Sequence, residues 1–252
     1  VSRRIGIIGC GTIGSHIAEG AVADPDMELV FVLEPDDGRV RPYESCRVDS
    51  IKSASRHDCD VVVECANPEV LKELAAKVLS FSDLMVLSMT AFSDDGFRAE
   101  VSALCEKYHR RVFLPHGAVL GLDGILDGRQ VIDSVQVETT KRPENLGRSD
   151  VQRTELYRGP ARRACELFPR NVNVHAVVAM CGVGFDETTS LIIADPAAEG
   201  NSHTIRIHGE EFRFCIEVVS LPGGEVSSSY TPESALNSLR RALARPYGFT
   251  FL

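Results

Sequence analysis

Two sets of residues have the types and spacing to do chemistry. The first is Gly9-Cys10-Gly11-Thr12-Ile13-Gly14, directly after the apolar run "RIGIIG" and ahead of a helical pattern at Ile13, Ile17 and Ala21. Gly9 permits a tight turn and Gly11 lets backbone approach a pyrophosphate. Gly14 lets the helix pack closely on the strand, and the helix start, at Thr12 and Ile13, favours negative charge. Glu34 ends the next apolar run, where a carboxylate can accept hydrogen bonds from ribose hydroxyls. With Asp36 and Asp37 it disfavours a 2′-phosphate, while Arg39 and Arg41 work the other way. The pattern points to a dinucleotide, NAD first and NADP second.

The second set is scattered. Asn201 and His203 stand where a polar loop turns into the alternating run "HTIRIHG". A loop-edge histidine is either solvated or a general acid–base group with a pKa near neutrality. Lys141 and Arg142 end a strand pattern and are either solvated or partners for a substrate carboxylate. In "FPRNVNVHA", Asn171 is placed to cap a helix, and Asn173 has a carboxamide able to read the amide of nicotinamide. In "LPHGAVLGLDGI", Gly117 and Ala118 are small enough for a nicotinamide to approach, unless the segment is a plain interdomain turn. His116 there is a second polar group at the cleft or an exposed loop residue.

The elements that must position these residues fall into two rhythms. Up to about His116, apolar runs alternate with helical patterns, as in a parallel sheet covered on both faces. Asn67 and Pro68 mark the start of one of those helices. Beyond it, "QVIDSVQVETTKR", "TTSLIIADP", "HTIRIHG" and "EFRFCIEVVSL" read as strands of a mixed sheet, with two helices broken at Pro169. A last helix, capped by Thr231 with Pro232 at its first position, is expected to return to the first half. The fold expected is α/β: a Rossmann-type dinucleotide-binding domain (1–116 plus 230–252) with an inserted α+β substrate or dimerisation domain (117–229).

Composition narrows the partners. A net charge of −9 argues against a nucleic-acid binder. No apolar run is long enough to span a bilayer, and the opening residues read as a strand and turn rather than a signal peptide. The eight cysteines include no C-x-x-C pair, so zinc and dithiol sites lack their signature and no metal is expected. Cys10, Cys59, Cys65 and Cys215 fall in apolar patterns and read as buried, reduced thiols of a cytoplasmic protein.

Taken together, "GIIGCGTIGSHIAE", "DVVVECANPEVLKELAAKVL", "LMVLSMTAF", "HGAVLGLDGI", "ETTKR", "ELFPRNVNVHA" and "NSHTIRI" resemble the L-aspartate dehydrogenase family over nearly the whole chain. The order G-A-x-x-G-L-D, F-P-x-N-x-N-V and N-x-H is the specific part. The resemblance implies that Ala118 and Asn173 contact the cofactor and that His203 is catalytic. It implies an NAD(P)-dependent homodimer that interconverts L-aspartate with iminoaspartate, or oxaloacetate plus ammonia. Three positions depart from the family pattern: His116 for serine, Thr90 for glycine and Glu233 for lysine. They leave open a dehydrogenase of the same architecture for another amino or imino acid. A catalytically silent NAD-binding regulator is the remaining alternative.

Overall fold

In a computed structural model of the chain, residues 2–221 and 230–244 are described. Residues 222–229, before the expected return at 230, and the tail 245–252 lie outside them. The chain divides into two compact units. One takes in residues up to Gly117 together with the segment from Tyr230; the other begins at Ala118.

The first unit contains β1 (Arg3–Ile8), α1 (Thr12–Ala23), β2 (Met27–Leu33), the single turns α2 (Asp37–Val40) and α3 (Ile51–Ala54), β3 (Val61–Glu64), α4 (Pro68–Leu79), β4 (Asp83–Val86), α5 (Asp95–Tyr108) and β5 (Val112–Phe113). Its strands form one parallel sheet in the order β2-β1-β3-β4-β5. They read as continuous apolar runs because both faces are covered: Ile5, Ile7, Phe31, Val32, Val62 and Val63 are all fully buried. The strand order reverses at β1 and β3, so a ligand crevice lies outside their carboxyl ends. Local chemistry sets the helix starts. Asn67 Oδ1 accepts the Val70 amide at 2.9 Å, and Asp94 Oδ1 accepts that of Phe97 at 3.1 Å.

The second unit contains α6 (Leu122–Gly128), β6 (Ser134–Lys141), β7 (Thr154–Pro160), α7 (Ala161–Leu167), α8 (Asn173–Cys181), β8 (Thr188–Ala194), β9 (Asn201–His208) and β10 (Arg213–Ser220). The sheet order is β10-β9-β6-β8-β7, with only β6 and β8 parallel. Pro169 does separate two helices, but Asn171 caps neither: the residue before α8 is Val172, which makes no side-chain cap. The Asn171 carboxamide is instead bonded to Lys141.

His203, expected at a loop edge, is not at one. Strand β9 starts at Asn201 and is paired on both sides, so His203 lies opposite Thr139 of β6 and Val218 of β10 and is 7% exposed. Two neighbouring ladders carry the strand beyond the apolar alternation that marks it in the sequence. Cys215 also departs from expectation. It is exposed, because β10 is an edge strand of this sheet, whereas Cys10 and Cys59 are buried; all eight cysteines are free thiols.

The final helix, α9 (Tyr230–Leu243), belongs to the first unit. It starts one residue before the expected cap, Thr231. Ala235, Leu236 and Leu239 join the core formed with α1. Gly20 makes the approach possible, since a Cβ there would lie 2.4 Å from Leu236 Cδ2. Burial of each such leucine contributes roughly 1.5–3 kcal/mol. Among the described residues no helix is long and apolar enough to cross a membrane.

Candidate active site

In the first unit the glycine turn closes as its spacing requires. Gly9 has φ +87°, and a Cβ on it would lie 2.8 Å from Ala66 backbone, just after β3. A Cβ on Gly14 would lie 2.1 Å from Gly9 O, so only glycine lets α1 approach β1. At Gly11 a Cβ would meet nothing within 4 Å. The start of α1 has no side-chain cap and no acid in its first turn. Open space over Gly11 and uncapped amides at Thr12 and Ile13 fit a dinucleotide pyrophosphate.

Glu34, 7% exposed, sits directly behind the turn. Its Oε2 accepts the Cys10 amide at 2.7 Å and its Oε1 that of Asp36 at 3.0 Å. A carboxylate has about four acceptor positions, so capacity remains for ribose hydroxyls. Arg39 is paired with Asp36 at 3.7 Å and Arg47 with Asp37 at 2.6 Å. The residue the sequence did not point to is Glu64, buried at the end of β3. It accepts Ser88 Oγ at 2.7 Å, the Ala66 amide at 2.8 Å and the Ser88 amide at 3.2 Å. Burial pushes its carboxyl up, against these hydrogen bonds. Glu64 thus ties together the turns after β3 and β4.

In the second unit His203 faces the sheet side covered by α8. Its Nδ1 lies 2.8 Å from Thr139 Oγ1, and Thr139 Oγ1 lies 2.7 Å from His175 Nε2. His175 Nδ1 in turn lies 2.8 Å from Ser190 Oγ. His203 Nε2 carries no hydrogen bond to any described residue. Burial, and then the charge of Lys141, push the His203 imidazole down to about 4. An acid–base group with a pKa near neutrality is therefore not what the fold provides: the ring is neutral at physiological pH. Lys141 donates from Nζ to Asn171 Oδ1 at 3.0 Å, and burial lowers its ammonium to about 8. A neutral imidazole with one free nitrogen can take up a proton, and the adjacent cation can hold an anion.

The structure thus brings together His203, Lys141 and Asn171, with Asn173 half-buried at the first position of α8. It does not bring Arg142 to this group. Consecutive residues at a strand end face opposite ways, and Arg142 Nε donates to Ala198 O at 2.8 Å. Asn201 Oδ1 accepts from Asn145 Nδ2 at 3.2 Å. Ala118 is half-buried after Gly117, whose φ is +58°. In the first unit His116 is half-buried, Thr90 is buried in a 3-10 turn (Met89–Ser93), and Glu233 is bonded to His16 of α1 at 3.0 Å. Thr139, His175 and Ser190 escaped the sequence reading. An imidazole inside the apolar helix "NVHAVVAM" was the available signal.

A parallel sheet with this turn and an acid closing it defines a dinucleotide-binding protein of the dehydrogenase kind. Residues 9–115 match the family described as homoserine dehydrogenase, NAD binding domain, and residues 125–242 match aspartate dehydrogenase, C-terminal. The chain belongs to the L-aspartate dehydrogenase family. It is 36% identical over 237 residues to the L-aspartate dehydrogenase of Thermotoga sp. (strain RQ2), covering 93% of this chain and 95% of that one. To that of Methanosarcina mazei it is 32% identical over 262 residues, covering 95% and 97%. The crystal structure of aspartate dehydrogenase from Thermotoga maritima superposes with a TM-score of 0.80 at 30% identity, covering 99% of this chain and 100% of that chain.

Proposed function

We propose that this chain catalyses NAD(P)-dependent oxidative deamination of L-aspartate to iminoaspartate, which water converts to oxaloacetate and ammonia, and the reverse reductive amination. The observation that carries the reading is a buried, neutral His203 within reach of the Lys141 charge, in a chain of this family. Gly9, Gly11, Thr12, Ile13 and Gly14 hold the pyrophosphate and Glu34 the ribose, favouring NAD over NADP. Ala118 and Asn173 hold the nicotinamide, which when bound supplies hydride transfer at the substrate Cα. Lys141 neutralises a substrate carboxylate and Asn201 helps to orient it. His203 Nε2 takes a proton from the amino group or from the attacking water. Arg142 and His116 are assigned no contact.

Oxidation of L-aspartate, L-glutamate, L-alanine and L-lysine, each with NAD and NADP, tests this reading by the absorbance of the reduced nicotinamide. Aspartate with NAD is expected to be fastest. Activity with alanine or lysine and none with aspartate would overturn the substrate assignment, and Glu233 would be the first residue to examine. No activity with any amino acid would favour the silent regulator.

A homodimer and a reducing, cytoplasmic setting complete the proposal. The edge strand β10 leaves Phe214 57% and Val219 47% exposed, apolar surface that a second copy would cover. The eight free thiols suit a reducing compartment. Light scattering at the mass of one chain would contradict the dimer.

A further inference from the structure

Thr139, His175 and Ser190 have no part in the reading above, yet all three are fully buried polar groups joined to His203 in one unbranched line. Proton counting along that line is restrictive. Burial pushes His175 down to about 3, so it is neutral and carries one ring proton, as His203 does. The Thr139 hydroxyl has one proton and faces two ring nitrogens, and it has no third partner among the described residues. Its oxygen could accept from both rings, but its own proton would then have no acceptor; every donor is used only when it donates to one imidazole and accepts from the other.

Only two arrangements satisfy every link and also give the Thr139 proton an acceptor. In one, His203 Nδ1–H donates to Thr139, Thr139 donates to His175 Nε2, and His175 Nδ1–H donates to Ser190. In the other, Ser190 donates to His175 Nδ1, His175 Nε2–H donates to Thr139, and Thr139 donates to His203 Nδ1. In the first, both rings carry their proton on Nδ1; in the second, both carry it on Nε2. A mismatched pair either leaves one link without a proton or leaves the buried Thr139 hydroxyl proton without an acceptor, and an unsatisfied buried polar group is costly.

We propose that Thr139 and His175 are positioning residues that force the His203 and His175 rings to share one tautomer, and so decide whether His203 Nε2 faces the substrate as a base or as an acid. Which ring nitrogen of a histidine is protonated is set by the hydrogen bond the other nitrogen makes. Here that bond is governed by a second histidine sealed in the core between α8 and the sheet. Nδ1–H on both rings presents His203 Nε2 as the base for aspartate oxidation. Nε2–H on both presents it as the acid for the reverse. This inference rests on the role given to His203 above.

The direct test is nitrogen-15 NMR of the full-length protein with labelled histidine, assigned with the His203→Asn and His175→Gln variants. Both rings of the wild-type protein are expected to carry the proton on the same nitrogen. Thr139→Val keeps the side-chain volume and removes the hydroxyl. It is expected to uncouple the two tautomers and to lower aspartate turnover about 10- to 100-fold, the usual worth of a group that orients a functional histidine. NADH affinity should stay near wild type, and Thr139→Ser should restore turnover and coupling. Opposite tautomers in the wild-type protein would overturn the proposal even if Thr139→Val does not fold. So would unchanged turnover in Thr139→Val, or a Thr139→Ser variant as impaired as Thr139→Val. Should His203→Asn keep full turnover, the catalytic role of His203 fails, and the wild-type tautomers still judge the coupling.

Discussion

The Lys141 ammonium donates to the Asn171 carboxamide at 3.0 Å, joining the end of β6 to the segment that leads into α8. The bond holds a cation near His203, on the same strand as the Thr139 that anchors the imidazole. Burial lowers Lys141 to about 8. It is therefore charged below that pH and loses its charge as pH rises through it. kcat/KM for aspartate should fall above about pH 8, with KM carrying most of the change. Lys141→Arg should move that limb upward, because a guanidinium stays protonated. Lys141→Met should lower kcat/KM about 10- to 100-fold at pH 7, the equivalent of one charge-assisted hydrogen bond. An alkaline limb unmoved by both substitutions would exclude Lys141 from substrate binding.

Glu34 joins the dinucleotide turn to the end of β2 through the Cys10 and Asp36 amides. NADH should bind more tightly than NADPH in fluorescence titrations. Glu34→Ala should narrow the difference and weaken NADH about tenfold, the worth of one hydrogen bond to a charged group. Tighter NADPH binding by the wild-type protein would place Arg39 or Arg41 in control of the ribose pocket.

How far these groups were legible in the sequence differs by kind. The glycine turn was readable because its requirements are local: a positive φ at Gly9 and no room for a Cβ at Gly14. The helix start at Asn67 and the mixed second sheet were readable for the same reason, from capping chemistry and alternation. The surroundings of His203 were not. Its partner Thr139 is 64 residues away, and Thr139 meets His175 across another 36, so burial and pKa follow from pairing that no local pattern carries. Lys141 stood out as a charge at a strand end. Its partner Asn171 is 30 residues away, and by local sequence that residue reads only as a helix cap.

Acid should destabilise the fold through the two buried imidazoles. His175 and His203 are held at about 3 and about 4, below the usual 6.5. Each is neutral in the folded state while its unfolded counterpart takes a proton. Their stability contribution is thus complete above 6.5 and is lost as pH falls from there, toward about 4 for His203 and about 3 for His175. The urea midpoint should drop between pH 7 and pH 5, and the drop should be smaller in His203→Asn. A midpoint independent of pH over that interval would contradict the burial of both rings as neutral groups.

Whether His203 Nε2 moves the proton is decided by the steady-state turnover of His203→Asn, measured beside its NADH affinity. Asparagine suits the test better than alanine. The residue is buried, and a carboxamide keeps a partner for Thr139 and leaves a smaller void than a methyl group would. kcat for aspartate should fall about 10²–10⁴-fold, the usual worth of a positioned acid or base, with NADH affinity unchanged. Near-normal turnover, or loss of NADH binding together with activity, would contradict it.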